Sequence, residues 1–263
     1  MSIKFGLITN PSLDILEEIR SIGKLGFDYV ELGIEIPGGS PGVIIKNKDK
    51  ILNLLEGFNS PALAHTAWWI DFGSGYDSIR KVWVEEGKRN VGVAKNLNIK
   101  KINFHFYSLG LTKTRPYHKV ILNNIVKSLK EVVNYANSKN VMAIFENAPT
   151  KRSFIGIEEY KFVIDNVPRL KVHLDIAHAF VENGMQGIKD YIFTFKDRIE
   201  HIHIHDNHGE EDEHLPLGKG KINFEQVAKW LKQINYNKTI TFEVFTSKED
   251  ARESMFTFNK LMK

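Results

Sequence analysis

Short apolar runs alternate with longer amphipathic stretches along this chain, and the alternation repeats eight times. The runs fall at 3–8, 28–34, 61–67, 101–106, 141–147, 170–176, 200–206 and 239–245, short enough and apolar enough to be strands. Between them, 14–26, 76–98, 118–139, 156–167, 187–198, 224–235 and 247–262 read as helices; in 76–98, for example, Ile79, Val82, Trp83, Val91, Val93 and Ala94 recur at helical spacing among charges. The stretch 41–58 fits a further helix, with Pro41 near its start. Turn signals at Gly26-Phe27-Asp28, Lys139-Asn140 and Asn235-Tyr236-Asn237 separate helix from strand. No Pro- or Ser-rich linker divides the chain, so 1–263 is expected to be a single domain. Eight βα units of this length imply a closed parallel (β/α)8 TIM barrel, because crossovers are right-handed and the eighth strand can pair with the first. A doubly wound sheet would carry a Gly-rich phosphate turn after an early strand, and this chain has none.

The polar positions within the strands change the picture from fold to chemistry. In the stretch from His201 to Gly220, HIHIHDNHGEEDEHLPLGKG, His201, His203 and His205 share one strand face while Ile202 and Ile204 share the other. The isoleucines can lie under helices; the histidines need polar partners, and imidazoles clustered with carboxylates most often coordinate metal. In a barrel, chemistry collects at the C-terminal ends of the strands. Near those ends stand Glu31, His65, His105, Glu146, Asp175 with His178 just beyond, His203 and Glu243. Their neighbours Phe145, Leu174, Ile176, Phe242 and Val244 would point outward to the helices, which turns the polar groups inward. One such acid is ordinary as a paired core group, but seven strands each ending in a histidine or carboxylate are hard to explain by packing, since each unpaired buried charge costs several kcal/mol.

Composition narrows the chemistry further. The chain has no cysteine, so disulfides and thiolate metal sites are excluded and any metal must be held by His, Asp and Glu. A net charge of +4, spread along the helices, is only weakly suggestive of nucleic acid or phosphorylated substrates. No apolar run approaches the ~18 residues needed to span a bilayer, and the start MSIKFGLITN has no secretory pattern, so no membrane association and a cytoplasmic location are expected. The oligomeric state cannot be read from the sequence.

Several of these residues carry two readings. His173 and His201, one rung below Asp175 and His203, are expected to be hydrogen-bonded core or barrel-floor residues; His205 and His208 fit loop surface. Glu31 reads as a substrate-binding acid, a supporting acid or a loop cap. Asp212 and His214 fit an exposed charged loop, but Leu-Pro-Leu-Gly after them would bring that loop back over the barrel mouth. Of Trp68 and Trp69, one is expected to pack at the rim and the other to meet substrate.

The motifs GFDYVELGIE, ALAHTAW, NFHFYSL, IFENAP, LDIAHAF, HIHDN with DEHLPLGKG, and FEVF together resemble the xylose isomerase-like barrels, which include sugar isomerases and epimerases and the endonuclease IV group of abasic-site nucleases. The resemblance spans nearly the whole chain. It implies a shared metal set on Glu146, Asp175, His203 and Glu243, with Glu146 and Glu243 also moving the proton in epimerase-type members. For nuclease-type members it implies a trinuclear zinc cluster that adds His65 and His105 beside Glu146, and His178, Asp212 and His214 at a further ion. All nine positions carry the required residue type. Two departures divide the branches: the loop GIEIPGGSPG lacks the basic and aromatic residues of the nuclease's DNA-probing loop, and no arginine stands between Asp206 and Asp212 where ketohexose epimerases have one.

Two functions are therefore expected in order of preference. The first is isomerisation or epimerisation of a sugar or sugar phosphate, with Zn or Mn as Lewis acid, Glu146 and Glu243 exchanging the proton α to the carbonyl, His178 orienting a hydroxyl and Trp68 or Trp69 covering a sugar face. The second is hydrolysis of DNA phosphodiesters at abasic sites with two or three zinc ions. The cofactor is one to three divalent ions in either case, and the partner a small sugar in the first and DNA in the second.

Overall fold

The computed structural model describes residues 3–263. Its strands are β1 (Lys4–Ile8), β2 (Tyr29–Ile34), β3 (Leu63–Thr66), β4 (Lys101–His105), β5 (Met142–Glu146), β6 (Lys171–Asp175), β7 (Ile199–Ile204) and β8 (Thr239–Phe242). Each pairs in parallel with the next, and β8 pairs with β1, which closes the ring. The helices are α1 (Ile15–Lys24), α2 (Pro41–Lys46), α3 (Lys48–Leu55), α4 (Asp77–Asn96), α5 (His118–Ser138), α6 (Ile157–Asn166), α7 (Ile176–Thr194), α8 (Phe224–Gln233) and α9 (Lys248–Met262). The chain is a single (β/α)8 TIM barrel. No helix of the described residues is long and apolar enough to cross a membrane.

Two helical expectations need correction. The stretch 41–58 is two helices, α2 and α3, which meet at Asn47 outside helical geometry (φ −103°, ψ 12°). The helix expected over 187–198 begins eleven residues earlier, at Ile176, and ends at Thr194. Its first half, from Ile176 to Glu182, is buried on every side, so no polar face marks the helical period. A kink at Asn183 and Gly184, where Gly184 has φ +58°, separates this half from the amphipathic remainder.

Most of the apolar core lies between the strand ring and the helices, where Phe145, Leu174, Ile176, Phe242 and Val244 are buried as the alternation requires. Inside the ring, Tyr29, Leu63 and Ile144 form a small separate plug. Tyr29 fills the space beside β1 so closely that a Cβ on Gly6 would lie 2.3 Å from its ring, which explains the glycine there. The Tyr29 hydroxyl meets the Thr241 hydroxyl at 2.8 Å. Above this plug the interior is filled by imidazoles and carboxylates.

Candidate metal centre and active site

Strand register sets the inward groups side by side: His105 is level with Glu146, His173 with both Glu146 and His201, and Asp175 with His203. Around Glu146, His65 Nε2 and His105 Nε2 lie 3.4 and 3.1 Å from Oε2 and 3.1 Å from each other. Around His203 Nδ1 lie Glu243 Oε2 at 2.9 Å, Glu146 Oε1 at 3.8 Å and Asp175 Oδ2 at 3.9 Å. Asp212 Oδ2 stands between His178 Nε2 at 3.0 Å and His214 Nε2 at 3.1 Å. Glu146 turns one oxygen to the first group and the other to the second.

These spacings suit shared cations. Ligand bonds of ~2.0–2.2 Å in tetrahedral geometry place donor atoms roughly 3.3–3.6 Å apart, close to the separations in all three groups. The remaining ring nitrogens of His178, His203 and His214 are held by the chain, whereas His105 Nδ1 is buried without a partner. His178 Nδ1–H donates to the Asn147 carbonyl at 2.7 Å, His214 Nδ1–H to the Glu243 carbonyl at 3.0 Å, and His203 Nε2–H to Glu31 Oε2 at 3.0 Å. Each such bond turns one N–H away from the cluster, so that the facing nitrogen offers a lone pair once its own proton is lost. Asp175 Oδ2 and Asp212 Oδ1 are buried without a hydrogen-bond partner, as expected of donors that await a cation.

Charge balance points the same way. Burial would raise the carboxyl of Glu243, but the adjacent His203 and His214 outweigh it and hold the group at about 2. Burial likewise opposes a charge on His214, and Glu243 and Asp212 overcome this to lift it to about 9. His105 moves the other way: burial outweighs the attraction of Glu146 and lowers it, so its ring is neutral near pH 7. The carboxylates of the cluster thus lie beside imidazoles, among them His178, His203 and His214, that their negative charge disposes to hold protons when no metal competes.

The nine expected metal-site residues converge at the C-terminal mouth of the barrel. Glu31 does not reach the mouth; it is fully buried, and its Oε2 accepts from both His201 Nε2 at 2.9 Å and His203 Nε2. His201 is a bonded interior residue, with Thr239 Oγ1 2.9 Å from its Nδ1. His173 is interior but not hydrogen-bonded: both its ring nitrogens lack partners, and it packs against the rings of His201 and His203. His205 is completely buried rather than on the loop surface, because the strand alternation continues one residue past β7. His208 is on the surface, bonded to Glu213.

The mouth opens into a cavity of about 760 Å³. Trp68 is half exposed and lines it, standing edge-on to Trp69 and Tyr107; Trp69 packs behind. Residues not anticipated from sequence also shape the site. Asn103 Nδ2 donates to Glu146 Oε2 at 2.6 Å, and its place two residues before His105 on the same strand face was the available signal. Phe245, two residues beyond Glu243, stacks on His214 with ring centroids 4.1 Å apart. Among the described residues no lysine or arginine lines the cavity.

A family profile described as the xylose isomerase-like TIM barrel matches residues 19–261. An uncharacterized protein of Methanocaldococcus jannaschii is 32% identical over 245 residues, covering 92% of each chain. The L-ribulose 3-epimerase of a Methylomonas species is 29% identical, over 87% of this chain and 78% of its own. A probable endonuclease 4 of Aquifex aeolicus is 25% identical, over 94% of this chain and 92% of its own. Sugar epimerases and endonuclease IV thus both stand among its relatives, and the chain belongs to the xylose isomerase-like TIM-barrel family.

Proposed function

We propose that the protein is a divalent-metal-dependent isomerase or epimerase of a small sugar. The observation that carries this reading is the pairing of Glu146 and Glu243 around one imidazole, His203, at the floor of a cavity with no lysine or arginine in its lining among the described residues. A cavity of about 760 Å³ suits one small molecule. A phosphate or DNA backbone would call for lysines or arginines at the lining.

Glu146, Asp175, His203 and Glu243 would hold a divalent cation, which would supply Lewis-acid polarisation of the substrate carbonyl. Glu243, held ionised, is suited to accept the proton α to the carbonyl, and Glu146 to return it from the other side. Asn103 fixes the Glu146 carboxylate through its amide. His178, anchored by Asn147, and Trp68 at the lip would orient the hydroxyls and cover the apolar face of the ring. Solvent deuterium incorporation into a panel of ketoses and their phosphates, followed by NMR, tests this; incorporation into none of them sinks the reading.

A second reading is favoured by one observation, the additional donor groups His65–His105–Glu146 and His178–Asp212–His214. Several zinc ions there would suit phosphodiester hydrolysis, with DNA as substrate. Metal-dependent nicking of an abasic-site duplex would establish it over the first.

A further inference from the structure

The metal reading leaves His205 outside every donor set considered so far. His205 follows β7 directly, and its ring faces inward with those of His201 and His203. It is completely buried, and neither ring nitrogen has a hydrogen-bond partner. Its Nε2 lies 3.4 Å from Asp175 Oδ2 and 3.4 Å from Asp212 Oδ1. Both of those oxygens are also without partners. Three orphaned buried donors therefore face one another. Asp212 spends its other oxygen on His178 and His214, and the His205 ring stacks on that of His214 at 4.2 Å. The donor atoms of His205, Asp212 and His214 all lie within 4.8 Å of one another, as do those of Asp175, His178 and His205.

We propose that His205 Nε2 is a further protein ligand of the cation held by His178, Asp212 and His214. This rests on the metal reading above. A site with four protein donors is closed, in the manner of structural zinc, and leaves no position for an activated water or a phosphate oxygen. The ion at this site ties the 206–215 loop to β7 and the start of α7 across the mouth. Chemistry is left to the cation near His203.

The test counts zinc by mass spectrometry in the full chain after stripping and reloading at buffered free zinc, for wild type, His205→Ala, His205→Asn and the surface control His208→Ala. Wild type and the control are expected to hold three ions, and both His205 variants two. Retention of three ions by the His205 variants, with chelator-competition constants unchanged, overturns the proposal while leaving the metal reading intact. Fewer than three ions in wild type, with zinc-edge anomalous diffraction showing none bonded to Asp212 and His214, removes the third site itself, and with it the proposal. Should neither variant fold, zinc-edge anomalous diffraction from loaded wild-type crystals decides. A peak within ~2.0–2.3 Å of His205 Nε2 supports ligation; a peak bonded to His214 and Asp212 but not to His205 overturns it.

Discussion

His203 is held at both ends, by Glu31 below and by the acids of the site above. Glu31 serves His201 with the same oxygen, Oε2, while its Oε1 is buried without a partner, and its position is that of a support rather than of a substrate contact. Glu31→Gln keeps the shape but removes the negative charge that two buried imidazoles face, which weakens the hold on His203. Loss of such a supporting carboxylate typically costs 10–100-fold in metal affinity, and chelator competition is expected to show a drop in that range with little change in fold by circular dichroism. An unchanged affinity would leave Glu31 a packing residue.

His214 gives the pH dependence. Its backbone occupies the left-handed region, at φ 51°, which is uncommon outside glycine and aims its ring at both Asp212 and Glu243. Its raised value of about 9 means that the metal-free folded protein carries a proton there at neutral pH. A cation at this site must displace that proton, so metal affinity rises with pH up to about 9. Calorimetry at pH 7 in buffers of different ionisation enthalpy is expected to show proton release on metal uptake, and the release is expected to shrink by the His214 share at pH 10. In the metal-free protein the sign is the reverse: the charged ring contributes stability below its unfolded value near 6.5 and loses it as pH rises through about 9.

At the level of elements, the strand ends were legible because one inward residue per strand alternates with apolar neighbours, and that pattern survives in a single sequence. Glu146, Asp175, His203 and Glu243 could be placed on that ground alone. The start of α7 could not, since a helix buried all round has no period to read, and so neither could the support its first turn gives: Asp175 caps it by accepting from the His178 N–H at 2.7 Å. His205 was obscure for the complementary reason, that an inward position beyond the strand's hydrogen-bonded end looks like loop. Asp206 was obscure too. It points away from the metal donors and accepts four backbone N–H groups, from Asn207 and Ile222 on one oxygen and Gly218 and Gly220 on the other. It therefore organises the loop that carries Asp212 and His214. Asp206→Ala would strand those donors, each buried unsatisfied group costing ~1–3 kcal/mol. The expected result is rapid cleavage within 207–221 by limited proteolysis and loss of the ion at Asp212, with the site around His203 still filled.

The whole molecule carries one electrostatic problem. Glu146, Asp175, Asp212 and Glu243 are brought from β5, β6, the loop after β7 and the end of β8 into one pocket, and protons on imidazoles can offset that charge only while pH allows. Bound cations relieve the repulsion in the folded state alone, because the unfolded chain scatters the same residues over nearly a hundred positions. Ligand linkage then fixes the scale: at a hundredfold excess over Kd, one ion adds about 2.7 kcal/mol. With roughly 2–4 °C per kcal/mol for a chain near this size, each ion should raise Tm by roughly 5–10 °C. Scanning calorimetry of chelated and zinc-loaded protein at pH 7.5 is expected to show an upward shift of that size or a multiple of it, and the shift should grow with the logarithm of free zinc. A Tm that ignores zinc across several decades of concentration would mean that the convergence of these acids serves packing, and the proposed chemistry at the barrel mouth would fall with it.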